Sequence, residues 1–396
     1  MTLSLKTEIP HYWRDCCSLC HHPIDEIVID FPSLPVTEIY NDAFISEDFG
    51  CYDQSFSICP CCGNGQLNCV LQPSVLYSEL YSFRTGGSMS EFGNTSFKHF
   101  IQRIIGNRKL DFILEIGCND TWLLQQLTEC ADKLYGVDPA MKKNEAVLSK
   151  GNIQISGVFF NEFDTTQLEG NGIVISSHVL EHIERPREFI SDLVHRFEPG
   201  TLFVFQFPGF DTLVTNSNFH QIFHHHINYV SEYSIRHLLK EFGCEIVSSA
   251  TNESYWGSLQ IAFRKGIPEK IITGKKFSIA EVRSAHKRFM DEMKVFESAI
   301  LNTTGKIVGF GAGMQFPVLN YHVNDSLLKL KYIFDDAPSK DGLYYPNFPI
   351  QIRKPDVTET LANTTVAVTG INFIRTILKR ILQYNPREIL IPRIKI

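Results

Sequence analysis

Residues 111–120 read DFILEIGCND: an apolar run breaks at Gly117, and a helical pattern follows from Thr121 onward. Apolar run, glycine, then helix is the opening of a βα unit around a parallel sheet, with the glycine where the backbone must pass close to a ligand. Twenty-one residues after Gly117 the run Tyr135-Gly136-Val137 ends on Asp138. An acid at the end of the second strand can accept both hydroxyls of a ribose. The helix N-terminus after Gly117 is expected to favour the ligand's carboxylate. The loop lacks the three glycines of a dinucleotide fingerprint, so the pattern suits a ligand with a ribose and an amino acid but no pyrophosphate, namely S-adenosylmethionine.

Outward from this stretch, GIVISSH (172–178), TLFVFQFP (201–208) and SLQIAFRK (258–265) continue the alternation of strands with helical segments. The strand end at His178 and the following Glu181-His182-Ile183 resemble the fourth-strand region of class I methyltransferases, where the chain covers the adenosine and opens toward the substrate. Glu115, Gly117, Asn119, Asp138 and His178 are the expected cofactor contacts. A polar helical stretch over 278–303 then leads to a second series, with GKIVGFGAG (305–313), LKYIFDD (330–336), TTVAVTG (364–370) and REILIPR (387–393). Taken alone, Gly311-Ala312-Gly313 with Asp335 and Asp336 is a better dinucleotide fingerprint than the central one, which makes an oxidoreductase using NAD a rival reading.

The 396 residues exceed one ordinary core. A net charge of −7 argues against nucleic acid or anionic membrane as a partner. No apolar run approaches the roughly 20 residues that span a bilayer, and the start lacks a secretory pattern, so a cytoplasmic address is expected. Seven of the eleven cysteines fall between Cys16 and Cys62. Clustered thiols in a reducing compartment point to metal rather than disulfides. Cys17 with Cys20 and Cys59 with Cys62 form two C-x-x-C knuckles that would close a structural zinc site, although Cys16 and Cys61 leave the register open by one residue. Residues 1–75 hold two basic residues, Lys6 and Arg14, against ten acidic ones, which excludes a phosphate-binding ribbon.

With these residues in view, the chain resembles the sugar C-methyltransferases of deoxysugar biosynthesis along nearly its full length. The likeness runs through both knuckles, PSVLYSELYSFRTGGS (73–88), the 115–120 loop and the His182 region. It continues through FHHHINYVS (223–231), GFGAGMQFPVLN (309–320) and FDDAPSKDG (334–342). The resemblance implies an α/β architecture in three parts: a zinc-binding module over 1–75, a class I (Rossmann-like) methyltransferase domain over 76–268, and a Rossmann-like C-terminal domain over 269–396. That last domain would help hold a nucleotide-linked keto sugar, a small-molecule substrate. The resemblance puts Tyr81 and His226 where the family has catalytic groups, and His182 near the reaction centre.

Several of the departures fall in the substrate region. His225-His226 stands where the family usually has Glu-His, Gln206 where it has Glu, and Tyr255-Trp256-Gly257-Ser258 where it has His-Gly-Gly-Ser. Thr121 stands for the usual Gly, and Ile371 for the usual Trp. Methylating carbon beside a ketone needs a base near neutral pKa and a donor for the developing oxyanion. His226 is the expected base or its positioning partner, with Tyr81 and His182 as donors or relays and His225 as a further candidate. Losing the glutamate beside His226 shifts weight toward O- or N-methylation, and the several departures admit an inactive binding protein. Side chains alternate along an extended run, so at most two of His224, His225 and His226 share one site.

Overall fold

The computed structural model describes residues 8–37, 39–44, 50–76, 88–268, 270–356 and 360–392. Its centre is a seven-stranded sheet in the order Cys244–Asn252, Ser258–Lys265, Leu202–Pro208, Gly172–Ser177, Leu110–Ile116, Ala131–Val137, Ile153–Ser156. Five strands run parallel, from Leu202–Pro208 to the Ile153–Ser156 edge. The last strand of this sheet in chain order, Ser258–Lys265, is inserted antiparallel between its two neighbours. That strand order is the class I methyltransferase fold.

Burial on both faces explains the near-continuous apolar runs seen in the sequence. Along Leu110–Ile116, the residues Phe112, Leu114 and Ile116 join one core cluster. Ile113 joins the other, beside Phe97, Phe100 and Ile101 of the helix Ser88–Ile105. The strands Ile153–Ser156 and Cys244–Asn252 were not anticipated from sequence. The first is only four residues long, and the second alternates half-buried with exposed positions.

The polar stretch at 278–303 is a helix, Ile279–Asn302. Ser278 and Glu281 close a reciprocal capping box at its start. Val282, Ala285, Phe289, Met293, Phe296 and Ile300 make its buried stripe. Beyond it, five parallel strands pair in the order Ile352–Arg353, Ile333–Phe334, Lys306–Phe310, Thr364–Val368, Glu388–Leu390. Ile371 is a packed core residue of this part.

The N-terminal part is a four-stranded antiparallel sheet, Ile29–Pro35, Cys51–Ile58, Gly65–Leu67 and Asn228–Tyr229, with a small ladder of His11–Trp13 on Cys69–Leu71. Its edge strand is lent by the FHHHINYVS segment, 160 residues further along the chain. One apolar cluster runs without a break from Phe31 and Phe56 through Phe219 and Phe223 to the C-terminal sheet, so packing is continuous across the boundaries at 75 and 268. Among the described residues no helix is long and apolar enough to cross a membrane.

Candidate active site

The crevice lies at the carboxyl ends of the parallel strands, where the order turns between Leu110–Ile116 and Gly172–Ser177. Open α/β sheets bind ligands at that point. It has a volume of about 1000 Å³, and Glu115, Gly117, Asn119, Asp138 and His178 all line it. Gly117 has φ +76°, and a Cβ there would stand 2.3 Å from Val179 Cγ2, so both backbone and space demand glycine. Asn119 and His178 share the left-handed region, at φ +44° and +54°. Such concentration of unusual backbone is characteristic of ligand sites.

Asp138 ties the loop together. Its Oδ2 accepts from Asn119 N at 2.9 Å and its Oδ1 from Ala140 N at 2.9 Å. A carboxylate has about four lone-pair directions, so ribose hydroxyls can still be accepted. Glu115 is buried, and burial, followed by the nearby Asp120 and Asp138 charges, pushes its carboxyl well above the usual range. Burial thus favours the neutral acid, the form that can donate a hydrogen bond. The expected help from a helix N-terminus is corrected: the helix Trp122–Gln126 has five residues, too short for an appreciable macrodipole. Thr121, which replaces the family's Gly, sits at φ +65° and is a strained position for a branched side chain.

Besides Glu115, the crevice walls carry four carboxylates (Asp138, Glu184, Glu188, Asp192) against two guanidiniums, Arg185 and Arg196. Arg196 is already paired with Asp192 at 2.8 Å. Such a crevice suits a cationic ligand and repels a pyrophosphate.

The three consecutive histidines part company. His224 Nε2–H donates to Leu34 O at 2.9 Å, and its Nδ1 faces the Gln54 amide at 3.2 Å, inside the N-terminal sheet. His225 turns its ring to Thr37 Oγ1 at 3.3 Å, while its carbonyl accepts from His182 Nδ1 at 2.7 Å. Its ring thus packs toward the N-terminal part, while its backbone carbonyl anchors His182. His226 alone faces His182, edge to face with ring centroids 4.9 Å apart, and Trp256 stands at 5.4 Å. His182 lines the crevice, and His226 stands beside it rather than in the wall. Burial holds His226 well below the ordinary imidazole value, and burial also lowers His182, against the pull of Glu181. Both are neutral at pH 7. Tyr81 lies outside the described residues.

Glu181 is the functional-looking residue that sequence reading passed over. It is 2% exposed, and its Oε1 lies 3.0 Å from His178 Nδ1. The available signal was a carboxylate set directly after the apolar strand end, between two histidines. Gln206, where the family has Glu, is buried in a neutral network, donating to Ser177 Oγ at 3.1 Å and accepting from Gln260 at 2.8 Å. Its amide suits partners of both kinds, which a carboxylate would not.

Cys17, Cys20, Cys59 and Cys62 bring their sulfurs within 4.8 Å of one another, with Cys17–Cys62 at 3.6 Å and Cys20–Cys59 at 3.4 Å. A tetrahedral four-thiolate site with metal–sulfur bonds of about 2.3 Å has sulfurs roughly 3.8 Å apart, so the set fits one such ion. Leu19 N and Cys62 N point at the Cys17 and Cys59 sulfurs, as knuckle turns do. Cys61 is exposed and Cys16 half-buried outside the cluster, which resolves the register.

The C-terminal glycine loop repeats the central wiring: Asp335 Oδ2 accepts from Ala312 N at 2.8 Å and Oδ1 from Ala337 N at 2.9 Å. Here, however, Lys340 Nζ covers the same Asp335 oxygen at 3.3 Å and donates to Ala312 O. Tyr40 and Tyr345 hydroxyls cap the Ala312 and Gly313 carbonyls. Gly311 N is spent on Phe334 O. An acid already covered by lysine is a poor seat for a ribose, which weakens the NAD reading.

Residues 89–249 match the family model for a methyltransferase domain. Among solved structures, the chain is similar to the N-methyltransferase NodS from Bradyrhizobium japonicum in complex with S-adenosyl-L-homocysteine, with 17% identity, coverage of 46% of this chain and 90% of that one, and a TM-score of 0.34. It is similar also to magnesium protoporphyrin IX methyltransferase from Synechocystis, with 19% identity, coverage of 49% and 92%, and a TM-score of 0.34. A third is the plantazolicin methyltransferase BpumL, with 13% identity, coverage of 45% and 85%, and a TM-score of 0.36. No curated protein matches the chain. The strand order, the acid-lined crevice and the family match define an S-adenosylmethionine-dependent methyltransferase.

Proposed function

We propose that the enzyme methylates a carbon next to the ketone of a nucleotide-linked deoxysugar, with Asp138, Glu115, Asn119 and His178 holding S-adenosylmethionine and the four cysteines holding a structural zinc ion. The observation that carries this reading is a pair of neutral imidazoles, His182 and His226, next to a crevice built for a cation. Bound there, the cofactor supplies an electrophilic methyl group on a sulfonium. The chain's part is to orient the acceptor, keep the crevice dry and move a proton. His226 accepts the proton from the acidic C–H. His182, with Nδ1 committed to the His225 carbonyl, presents Nε2 to the site. The half-buried Trp256 stands 5.4 Å from the His226 ring and has flat apolar surface for a sugar, while the buried Phe223, at 4.2 Å, backs the imidazole from the core. The C-terminal part is assigned to the nucleotide end of the substrate.

A methyl-transfer screen against nucleotide-linked keto sugars tests this, with NMR of the product to locate the new methyl. A new C–CH₃ signal beside the ketone is expected. Methylation on oxygen or nitrogen would overturn the enolate route. Calorimetric binding of NAD in preference to S-adenosylmethionine would overturn the transferase reading.

A further inference from the structure

Four hydrogen bonds lay the 225–228 segment against the turn Leu180–His182. Ile227 N donates to Glu181 O at 2.9 Å, His182 Nδ1 to His225 O at 2.7 Å, and Asn228 Nδ2 to the carbonyls of Leu180 at 3.1 Å and Ile183 at 2.7 Å. This docking fixes where the His226 ring falls. Glu181 lies at the middle of the result. Its Oε1 is 3.0 Å from His178 Nδ1 and 3.9 Å from His182 Nε2. A carboxylate oxygen of Glu181 and ring nitrogens of His182 and His226 all fall within 4.8 Å of one another. Oε2 is buried and has no hydrogen-bond partner among the described residues. A dry, unpaired carboxylate oxygen costs stability, on the order of 1–3 kcal/mol or more. The carboxylate that carries it has an oxygen within 4.8 Å of a His226 ring nitrogen, which puts an acceptor within a short movement of the candidate base.

We propose that Glu181 is the positioning residue of the proton-transfer step, the carboxylate that holds His226 in one tautomer and shares the proton it receives. This rests on the methyl-transfer reading above. Next to His226, His225 turns its ring to Thr37 and supplies no carboxylate. The carboxylate therefore arrives from a different element, the turn after the fourth strand. In the step, the substrate C–H bond breaks and its proton goes to the free ring nitrogen of His226. The C–H electron pair enters the enolate and then forms the new carbon–carbon bond, while the S–CH₃ pair stays on sulfur. In this step the opposite N–H of His226 turns to the Glu181 carboxylate, which has an oxygen within 4.8 Å of the ring nitrogen, and His182 Nε2 is the alternative acceptor through which the proton leaves to the crevice. The titratable groups around His226 are Glu181, His182, His178 and His225; its other neighbours are the Phe223 and Trp256 rings.

The test uses the full chain labelled with ¹⁵N-histidine. Imidazole nitrogen shifts are followed against pH in the parent, E181Q and E181D, with H226Q and H182Q for assignment. In the parent, His226 should occupy a single tautomer with its N–H toward Glu181. E181Q should change that tautomer and lower the His226 titration by about one unit. E181D, which keeps the charge, should fall between. S-Adenosylmethionine affinity, read by calorimetry, should stay within about twofold. Identical His226 nitrogen shifts in the parent and E181Q would overturn the proposal, as would equal effects of E181Q and E181D, the sign of a merely structural role. Stoichiometric Mn²⁺ or Zn²⁺ broadening or shifting the His182 and His226 signals in zinc-replete protein would make the trio a metal site and overturn it too. If the parent fails to bind S-adenosylmethionine, the transferase reading fails, while the nitrogen shifts still decide whether Glu181 holds His226.

Discussion

At the scale of single residues, Asp138 and His226 divide the labour and should separate on mutation. Asp138→Ala removes a charged acceptor that also pins Asn119 N and Ala140 N. Losing hydrogen bonds of that kind costs about 1.5–3 kcal/mol, so calorimetry should show S-adenosylmethionine binding roughly 10- to 100-fold weaker. His226→Ala should leave that affinity within about twofold and cut turnover by about 100- to 10,000-fold, the span of general base catalysis. Turnover of His226→Ala equal to the parent would remove His226 from the mechanism. The sequence carried Gly117 and Asp138 plainly, because each lies at the end of an apolar run and its role follows from local order. It did not distinguish His225 from His226. Alternation limits how many of three neighbours share a site, but which of them faces inward depends on what each ring meets, here Thr37 and His182.

Between elements, the contact that matters most joins the N-terminal part to the 223–231 segment. Arg14 donates to Glu184 O at 2.7 Å, Ile227 O at 3.0 Å and Asn228 Oδ1 at 3.2 Å. Burial lowers its guanidinium from the ordinary value, opposed by Tyr12 and by the Glu184 charge. Arg14→Met takes a donor from each of those three acceptors, leaving Ile227 O with Leu67 N and Asn228 Oδ1 with Ser18 Oγ, and should cost about 1–3 kcal/mol, read as a lower denaturant midpoint. It should also loosen the turn carrying Glu181 and His182, so hydrogen exchange at Ile227 N should quicken. An unchanged exchange rate there would mean the clamp is not what registers the loop. The linker helix Ile279–Asn302 was legible to within a residue or so at each end because a Ser278–Glu281 capping box is a local signal. The two-residue strand Asn228–Tyr229 was not, since it exists only by pairing with Gly65–Leu67.

For the molecule as a whole, the cysteine cluster and the catalytic region are mechanically coupled. Ser18, between the first two cysteines, donates to Asn228 Oδ1 at 2.9 Å, two residues from His226. Metal analysis should return about one zinc per chain. Chelation should unfold the N-terminal sheet and, through Asn228, depress turnover more than cofactor affinity. A chelated protein with full turnover would show the two parts to be independent. Acid should act globally as well. Burial holds His224 and His286 at about 4 and His225 and His322 at about 3, against 6.5 for an exposed ring. Their folded forms stay neutral while the unfolded chain takes up protons, so stability is complete above about pH 6.5 and falls as pH drops toward 3–4. Each such group contributes a slope of up to about 1.4 kcal/mol per pH unit, and a melting series across that window measures it.

The sequence by itself determined the alternation of strands and helices, the glycine and acid of the cofactor crevice, the cysteine knuckles and the linker helix. Each is written in spacing and pattern over a few to some twenty residues, where propensity and periodicity act. Only the tertiary structure decided that Asn228–Tyr229 completes a sheet begun at Ile29, that Lys340 and Tyr40 cover the second glycine loop, and that Glu181 stands among three histidines. Those arrangements join groups up to some 270 positions apart in the chain, and others, such as Glu181 with His178, depend on how a loop is docked from elsewhere. They follow from the crossing of whole sheets and loops, which no local pattern encodes.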